Sequence, residues 1–201
     1  MQLEIMPLPH EYKFKNDSFI LDYDSKIIID SKVSWEINES IKFFQRRYLE
    51  ETNLNIKTIR GKSNRFTGIQ LQNDTSVEDD SYILEVDTNA ISIKASSKNG
   101  FHYGLMTLIQ LIKQYGLIIP GLLIHDQAHF KHRGFYHDVT RGKVPKKETI
   151  FEIIDLLSEY KINELQLYIE HTFLWEGFSE VFRSKDAFSA EDILEIDDYA
   201  C

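Results

Sequence analysis

The residues with the clearest chemical potential follow two segments that alternate like β-strands. Asp138 and Arg141 come at the end of the first segment, and Glu170, His171 and Trp175 come at the end of the second. Polar side chains gathered at the carboxyl ends of neighbouring parallel strands commonly form a ligand site. The spacing therefore predicts part of a substrate pocket at these five positions.

A strand, a helix and a second strand must position these side chains. GFYHDV is predicted to be the first strand, and NELQLYIEH the second. Between them, helical spacing marks the buried positions Ile150, Ile153, Ile154 and Leu157. The second strand has an apolar side for packing against helices: Leu165, Leu167 and Ile169. Its other side is predicted to face the ligand: Gln166, Tyr168 and Glu170. With a helix over residues 190–200 capped by Ser189, this βαβα pattern predicts the start of a (β/α)8 barrel, truncated at residue 201.

The region before residue 125 has a different pattern. It contains short strands, a hairpin over residues 82–95 and two amphipathic helices, the second ending at Gly116. This order predicts an α+β domain with an antiparallel sheet and helices on one face. Turn residues and polar side chains from Pro120 to His132 mark a domain boundary. We therefore expect an N-terminal domain over residues 1–124, a turn-rich connector over 125–132, and an incomplete barrel domain over 133–201.

Composition and charge limit the classes of partner. The chain of 201 residues has a net charge of −9, which argues against nucleic acid and against an anionic membrane surface. Cys201 is its only cysteine, so no internal disulfide is expected. The N-terminus does not resemble a signal peptide, so the sequence as written predicts a cytoplasmic protein, or an exported one if a leader was removed.

Two blocks of sequence resemble the glycoside hydrolase family 20 β-N-acetylhexosaminidases. The first is a hairpin followed by a helix with a Gly-x-x-Thr-Leu-x-Gln-Leu pattern, carried by Gly104, Thr107, Leu108, Gln110 and Leu111. The second is an aspartate, a phenylalanine, Arg-Gly and Asp-x-x-Arg, carried by Asp126, Phe130, Arg133, Gly134, Asp138 and Arg141. The two blocks occur in the family's order and at its separation. The resemblance implies a zincin-like N-terminal domain followed by a catalytic TIM barrel.

The resemblance also implies a reaction and a role for Arg141. Family 20 enzymes remove terminal N-acetylhexosamines by substrate-assisted catalysis, in which the sugar's own acetamido oxygen attacks the anomeric carbon. Their catalytic Asp-Glu pair has no counterpart in this chain, so the isolated chain is expected to be inactive. The arginine of the Asp-x-x-Arg motif binds sugar hydroxyls in the family, which assigns that role to Arg141. No cofactor is implied.

Each candidate also has a purely structural interpretation. Arg141 could form only a salt bridge to Asp138, although the family match favours a ligand role. Glu170 and His171, where the family has other residues, either tune the pocket or form a solvated pair at the strand end. Trp175 either stacks on a sugar or packs against its neighbours, and packing is favoured. Tyr168 is expected to be a core residue whose hydroxyl finds a partner.

Three histidines in the connector region could be mistaken for a metal site. His125, His129 and His132 lie in a turn-rich segment without cysteines or an H-E-x-x-H pattern, so no metal is expected. The sequence as a whole predicts the N-terminal part of an enzyme that acts on glycans containing N-acetylhexosamine. The alternative is a carbohydrate-binding or protein-interaction module without catalysis. Unpaired strands of the incomplete barrel favour self-association.

Overall fold

The computed structural model describes residues 2–61, 67–178 and 186–200. The chain divides into two compact units, Met1–His129 (unit 1) and Phe130–Cys201 (unit 2). The division falls inside the connector that the sequence predicts at 125–132. None of the helices in the described ranges is both long and apolar enough to cross a membrane.

Seven strands and two α-helices are found among the residues of unit 1 that the structure describes. Its elements are β1 (Glu11–Ile20), β2 (Lys26–Ile29), a 3₁₀ turn (Trp35–Ile37) leading into α1 (Asn38–Thr52), β3 (Lys57–Arg60), β4 (Gly68–Asn73), β5 (Ser81–Val86), β6 (Ala90–Ala95), α2 (Lys98–Tyr115) and β7 (Ile118–Gln127). The strands form one sheet in the order β1-β7-β5-β6-β4-β2-β3. The predicted hairpin (β5 and β6) and both predicted helices are confirmed.

The antiparallel sheet that the sequence predicted is wrong, because the sheet is mixed. Strands β1, β7, β5 and β6 pair in antiparallel fashion, whereas β6, β4, β2 and β3 pair in parallel. A parallel pair needs a long crossover, and the 15-residue helix α1 supplies one between β2 and β3. The local pattern of each strand shows alternation but does not show its direction relative to a partner.

The core of unit 1 lies between the helices and one face of the sheet. Alternate residues of the central strands are fully buried, among them Ile69, Leu84 and Ile93, while neighbours such as Gln70 and Glu85 are half-buried. Helix α2 packs on β5, β6 and β7, and α1 packs on α2. This one-sided burial agrees with the predicted placement of helices on one face.

The Gly-x-x-Thr-Leu-x-Gln-Leu pattern in α2 has a structural explanation. A Cβ atom at Gly104 would lie 2.6 Å from Ile93 Cγ2, so glycine allows the helix to approach the sheet. The Thr107 hydroxyl is 2.6 Å from the buried hydroxyl of Tyr82. The Gln110 amide accepts a hydrogen bond from the backbone N–H of Met6 (2.7 Å) and donates one to its carbonyl (2.8 Å). The pattern therefore holds the helix against the sheet and holds the N-terminal segment on the helix.

Strand β7 replaces the beginning of the predicted turn-rich segment. It pairs with both β1 and β5 and continues through Gln127, so residues 125–127 belong to the sheet and not to a connector. Its Pro120 lies beside a β-bulge in β1, between Phe14 and Ser18, and proline is tolerated in a sheet at such a site. Gly121 leaves room for the carboxylate of Asp17, which would clash with a Cβ atom at that position. Pro120 and Gly121 therefore give the sequence the pattern of a turn, although both residues lie in a strand, β7, that pairs with the bulged strand β1.

Unit 2 is a βαβ unit followed by another helix, as the sequence predicted. Its elements are β8 (Gly134–Asp138), α3 (Lys147–Glu159), β9 (Glu164–Tyr168) and α4 (Ala190–Ala200). Strands β8 and β9 are parallel, from Gly134 opposite Glu164 to Asp138 opposite Tyr168. The buried residues of unit 2 form an apolar cluster: Val139, Ile150, Phe188 and Ile196. Leu165, Leu167 and Ile169 pack on this apolar cluster, as expected. The capping box of α4 is confirmed by hydrogen bonds in both directions between Ser189 and Asp192 (3.0 and 3.1 Å).

Candidate functional site

The predicted site residues lie where β8 and β9 end at the same edge of their sheet. Asp138 and Tyr168 are opposite each other in the register, and the N–H of Val139 donates to the Tyr168 carbonyl at 3.2 Å. The chain that leaves β8 therefore runs beside the chain that leaves β9. We call the group formed by Asp138, Arg141, Tyr168, Glu170 and His171 the strand-end site.

Asp138 organises the turn that follows β8. One carboxylate oxygen accepts hydrogen bonds from the backbone N–H groups of Thr140 (2.9 Å) and Arg141 (3.2 Å). These bonds favour the ionised carboxylate, and with the Arg141 side chain they lower the pKa of Asp138. A carboxylate with this local hydrogen bonding stabilises a tight turn, which places Arg141 beside the end of β9.

Arg141 is held on one side and open on the other. Its Nε donates to the second oxygen of Asp138 at 2.5 Å, and its guanidinium lies 5.1 Å from the centre of the Tyr168 ring. The hydrogen bond to Asp138 raises the pKa of Arg141, so the group stays charged. The side chain is 67% exposed, and its two terminal nitrogens have no hydrogen-bond partner among the described residues. The salt bridge considered as an alternative is present, and it leaves a pair of donors available to a ligand.

Glu170 and His171 have neighbours within the same site. The Tyr168 hydroxyl donates to the Glu170 carboxylate, and this bond raises the pKa of Tyr168. His171 Nδ1 lies 3.5 Å from the Thr140 hydroxyl and 4.0 Å from the other Glu170 oxygen. Tyr168 has the predicted hydroxyl partner, but it is only partly buried, so its assignment to the core was wrong.

Trp175 belongs to a different contact. Its ring packs edge-on against Phe173, with centroids 4.8 Å apart, and it is 54% exposed. In the described part of the chain, no hydrogen bond or ring contact joins it to the strand-end site. The structure therefore shows a packing contact together with a large exposed aromatic surface.

Of the three histidines in the predicted connector, two contact another side chain and one is exposed. The rings of His129 and His10 lie 5.4 Å apart, His132 Nδ1 is 2.8 Å from Glu164, and His125 is an exposed residue of β7. Over residues 2–61, 67–178 and 186–200, no group of three or more metal-binding side chains is found.

Arg133 lies at the opposite ends of the two strands from Arg141. Its Nε donates to the Lys161 carbonyl at 2.7 Å, a terminal nitrogen donates to the Phe130 carbonyl at 2.5 Å, and its own N–H donates to the Asn163 side chain at 2.8 Å. These bonds tie together the segments that precede β8 and β9. Arg133 therefore holds the starts of the two strands together, whereas Arg141 lies at their other ends with its side chain largely exposed.

Comparison with known proteins identifies the family. The family model for glycosyl hydrolase family 20, domain 2, matches residues 2–127, which is more than half of the chain. The chain belongs to glycosyl hydrolase family 20. The resemblance noted in the sequence is confirmed.

Family 20 relatives match beyond unit 1 as well. A β-hexosaminidase of Porphyromonas gingivalis is 26% identical over 184 residues, which cover 86% of this chain and 23% of that protein. A β-hexosaminidase of Vibrio furnissii is 32% identical over 109 residues, covering 53% of this chain and 18% of that protein. The chain thus spans a quarter or less of the length of these two relatives.

Solved family 20 structures share the fold. The chitobiase of Flavobacterium johnsoniae is 25% identical with a TM-score of 0.81, and the match covers all of this chain and 33% of that one. The exo-β-N-acetylglucosaminidase of Vibrio harveyi, solved with N-acetylglucosamine, is 18% identical with a TM-score of 0.81. That match covers 98% of this chain and 34% of the V. harveyi chain. At 18% identity the likeness concerns the fold alone.

The sequence analysis did not single out Thr140, a neighbour of this site, and it did not predict the contact between Tyr168 and Arg141. Thr140 is buried and approaches His171, and the Tyr168 ring lies beneath the Arg141 guanidinium. Thr140 could have been singled out because it lies inside the Asp-x-x-Arg motif.

Proposed function

We propose that the complete protein is a glycoside hydrolase that removes terminal β-linked N-acetylhexosamine from glycans, with retention and with assistance from the substrate. Residues 1–124 with the rest of β7 would form the family's zincin-like N-terminal domain. Residues 133–201 would form the first β/α units of its (β/α)8 catalytic barrel. Family membership and the parallel βαβ unit support this proposal.

The observation that carries the proposal is the geometry of Arg141. Its guanidinium is anchored through Nε to Asp138, while both terminal nitrogens remain unpaired among the described residues. A planar group with two parallel donors suits the neighbouring hydroxyl oxygens of a sugar. Arg141 also follows β8, at the carboxyl end where barrel enzymes bind substrate.

The remaining predicted residues would complete the sugar site. Glu170 offers a second carboxylate oxygen, which lies 4.0 Å from His171 Nδ1 and is therefore beyond hydrogen-bond distance of it. This oxygen is available to accept from a hydroxyl. Trp175 presents a half-exposed ring that would stack on a sugar face. In the proposed mechanism the substrate's acetamido oxygen forms the new bond at the anomeric carbon. The part assigned to residues 1–201 is to hold the sugar by its hydroxyls while this happens.

We further propose that residues 1–201 alone do not hydrolyse glycosides. By the family resemblance, an Asp-Glu pair on a later barrel strand orients the acetamide and protonates the leaving group. No position in residues 1–201 corresponds to that pair. A sugar bound at the strand-end site alone would therefore lack the proton donor that expels the leaving group.

A chromogenic N-acetyl-β-glucosaminide tests the proposal directly. The complete protein should release the chromophore, and residues 1–201 should release nothing above a buffer blank. Binding of N-acetylglucosamine by the complete protein without turnover would support the alternative, a carbohydrate-binding module. Turnover by residues 1–201 that scales with protein and survives purification would contradict the assignment of catalysis to a later strand.

A further inference from the structure

Tyr168 touches both charged groups that the proposed function assigns to sugar binding. Its ring lies under the Arg141 guanidinium, and its hydroxyl donates to the Glu170 carboxylate. We infer that Tyr168 is a positioning residue that holds Arg141 and Glu170 at a set separation, so that a donor and an acceptor face neighbouring hydroxyls of one sugar ring. This inference rests on the proposed function.

The ring contact completes the restraint on Arg141. The single bond from Nε to Asp138 does not by itself prevent the exposed guanidinium from changing its tilt. An aromatic face within about 6 Å attracts a guanidinium and adds a second point of contact. With the hydrogen bond and the ring together, the plane that carries the two free donors is defined before a sugar arrives. A preorganised donor pair loses less conformational entropy on binding.

The hydroxyl contact restrains Glu170, which lies just beyond the end of β9. The carboxylate is 46% exposed and accepts from Tyr168 through one oxygen. The second oxygen keeps its capacity to accept from a ligand, since it lies 4.0 Å from His171 Nδ1, beyond hydrogen-bond distance. Tyr168 therefore orients the Glu170 carboxylate and leaves its second oxygen available to a ligand.

Strand register explains why one residue can reach both groups. Tyr168 lies opposite Asp138, the anchor of Arg141, and Glu170 follows two residues later, just beyond the end of the strand. A tyrosine combines a flat ring for the cation with a hydroxyl at its tip for the carboxylate. Phenylalanine would keep the first contact and lose the second, and leucine would lose both.

Double-mutant cycles in the complete enzyme test this inference. Tyr168→Phe should lower kcat/KM about two- to tenfold through loss of the bond to Glu170. Tyr168→Leu should lower it a further two- to fivefold, roughly the effect of losing the ring contact with Arg141. In a Glu170→Ala background, Tyr168→Phe should have no further effect on kcat/KM. In an Arg141→Ala background, Tyr168→Phe and Tyr168→Leu should lower kcat/KM equally, because residues that act through each other are not additive.

The outcomes separate this inference from the proposed function. If Arg141→Ala lowers kcat/KM but the Tyr168 effects are fully additive or absent, Tyr168 has no positioning role and the inference is overturned. If Arg141→Ala leaves kcat/KM intact, the sugar site itself is wrong and the inference falls with it. Tyr160→Phe is the matched control, because its hydroxyl has no partner in the described ranges and lies at the far end of α3. That control should keep the activity of the unmodified enzyme.

Discussion

Unit 1 and unit 2 differ in how completely each buries its own apolar residues. In unit 1, strand residues such as Ile69, Leu84 and Ile93 have no exposed surface. In unit 2, Leu165 and Leu167 remain half-buried although they pack on the apolar cluster. Strands β8 and β9 pair only with each other in the described structure, and both Phe135 and Tyr136 of β8 are exposed.

The two units also differ in what their polar motif residues contact. Unit 1 has a closed core, and its polar motif residues, Thr107 and Gln110, are used to hold helix, sheet and N-terminal segment together. Unit 2 has a small core, and its polar motif residues at the strand ends, Asp138 and Arg141, form part of the strand-end site. Charged donors and acceptors that are left exposed beyond the ends of strands are available for binding.

Cutting the chain between the units should give the largest effect. We expect residues 1–129 to unfold cooperatively on their own, because all seven strands and both helices of the core are retained. Residues 1–117 should not fold, because β7 lies between β1 and β5 in the sheet. Circular dichroism with urea titration measures both. A cooperative transition in residues 1–117, or none in residues 1–129, would contradict the self-sufficiency of unit 1.

Equivalent leucine truncations should sharpen the comparison. Leu84→Ala should lower the free energy of unfolding of unit 1 by about 2–5 kcal/mol, because it leaves a cavity in a fully buried site. Leu165→Ala should cost unit 2 only about 1 kcal/mol, because part of that side chain is already in water. The two tryptophans, Trp35 and Trp175, lie in different units. Replacing one with phenylalanine lets the other report urea unfolding of its own unit.

The control for these truncations is Leu156→Ala, at an exposed position of α3. Its effect should stay within about 0.5 kcal/mol. Equal losses for Leu84→Ala and Leu165→Ala would show that the two units are packed alike.

The contribution of Asp138 in unit 2, which acid should remove, is expected to be the smallest of these effects. The pKa of Asp138 is lowered in the folded state, so its contribution to stability is present above the unfolded value of about 3.9 and is lost as pH falls through the lower folded value. The difference in unfolding free energy between the unmodified chain and Asp138→Asn should therefore be measurable near pH 6 and shrink towards pH 3. A difference that stays constant over this range would show that the ionised carboxylate does not hold the turn.

The sequence predicted those parts of the fold that depend on local pattern. The β5–β6 hairpin and the capping box of Ser189 and Asp192 need only neighbouring residues, and both are confirmed. Strand β7 was missed because Pro120 and Gly121 signal a turn locally, and only the bulge in β1 makes them compatible with a strand. The mixed sheet was missed because strand direction depends on distant pairing.

The candidate site shows the same limit. The Asp-x-x-Arg motif predicted that Asp138 and Arg141 would be neighbours, because they are close in sequence. The approach of Tyr168 to Arg141 depends on the register between β8 and β9, which the alternation of either strand alone does not contain. Sequence reasoning therefore found the charged residues of the strand-end site and placed Tyr168 on the ligand-facing side of its strand, but it did not predict the contact between this ring and Arg141.

The most direct test of the strand-end site compares two arginines in the complete enzyme. Arg141→Ala should lower kcat/KM roughly ten- to a hundredfold, the effect of losing a charged hydrogen bond to a sugar hydroxyl, with little change in Tm. Lys143→Ala, which removes an exposed cation from the same turn, should change neither quantity. Arg133→Ala should lower Tm, because its bonds tie the starts of β8 and β9 together, while the folded enzyme keeps its kcat/KM. If Arg141→Ala leaves kcat/KM intact, or acts only by lowering Tm as Arg133→Ala does, the strand-end site does not bind the sugar.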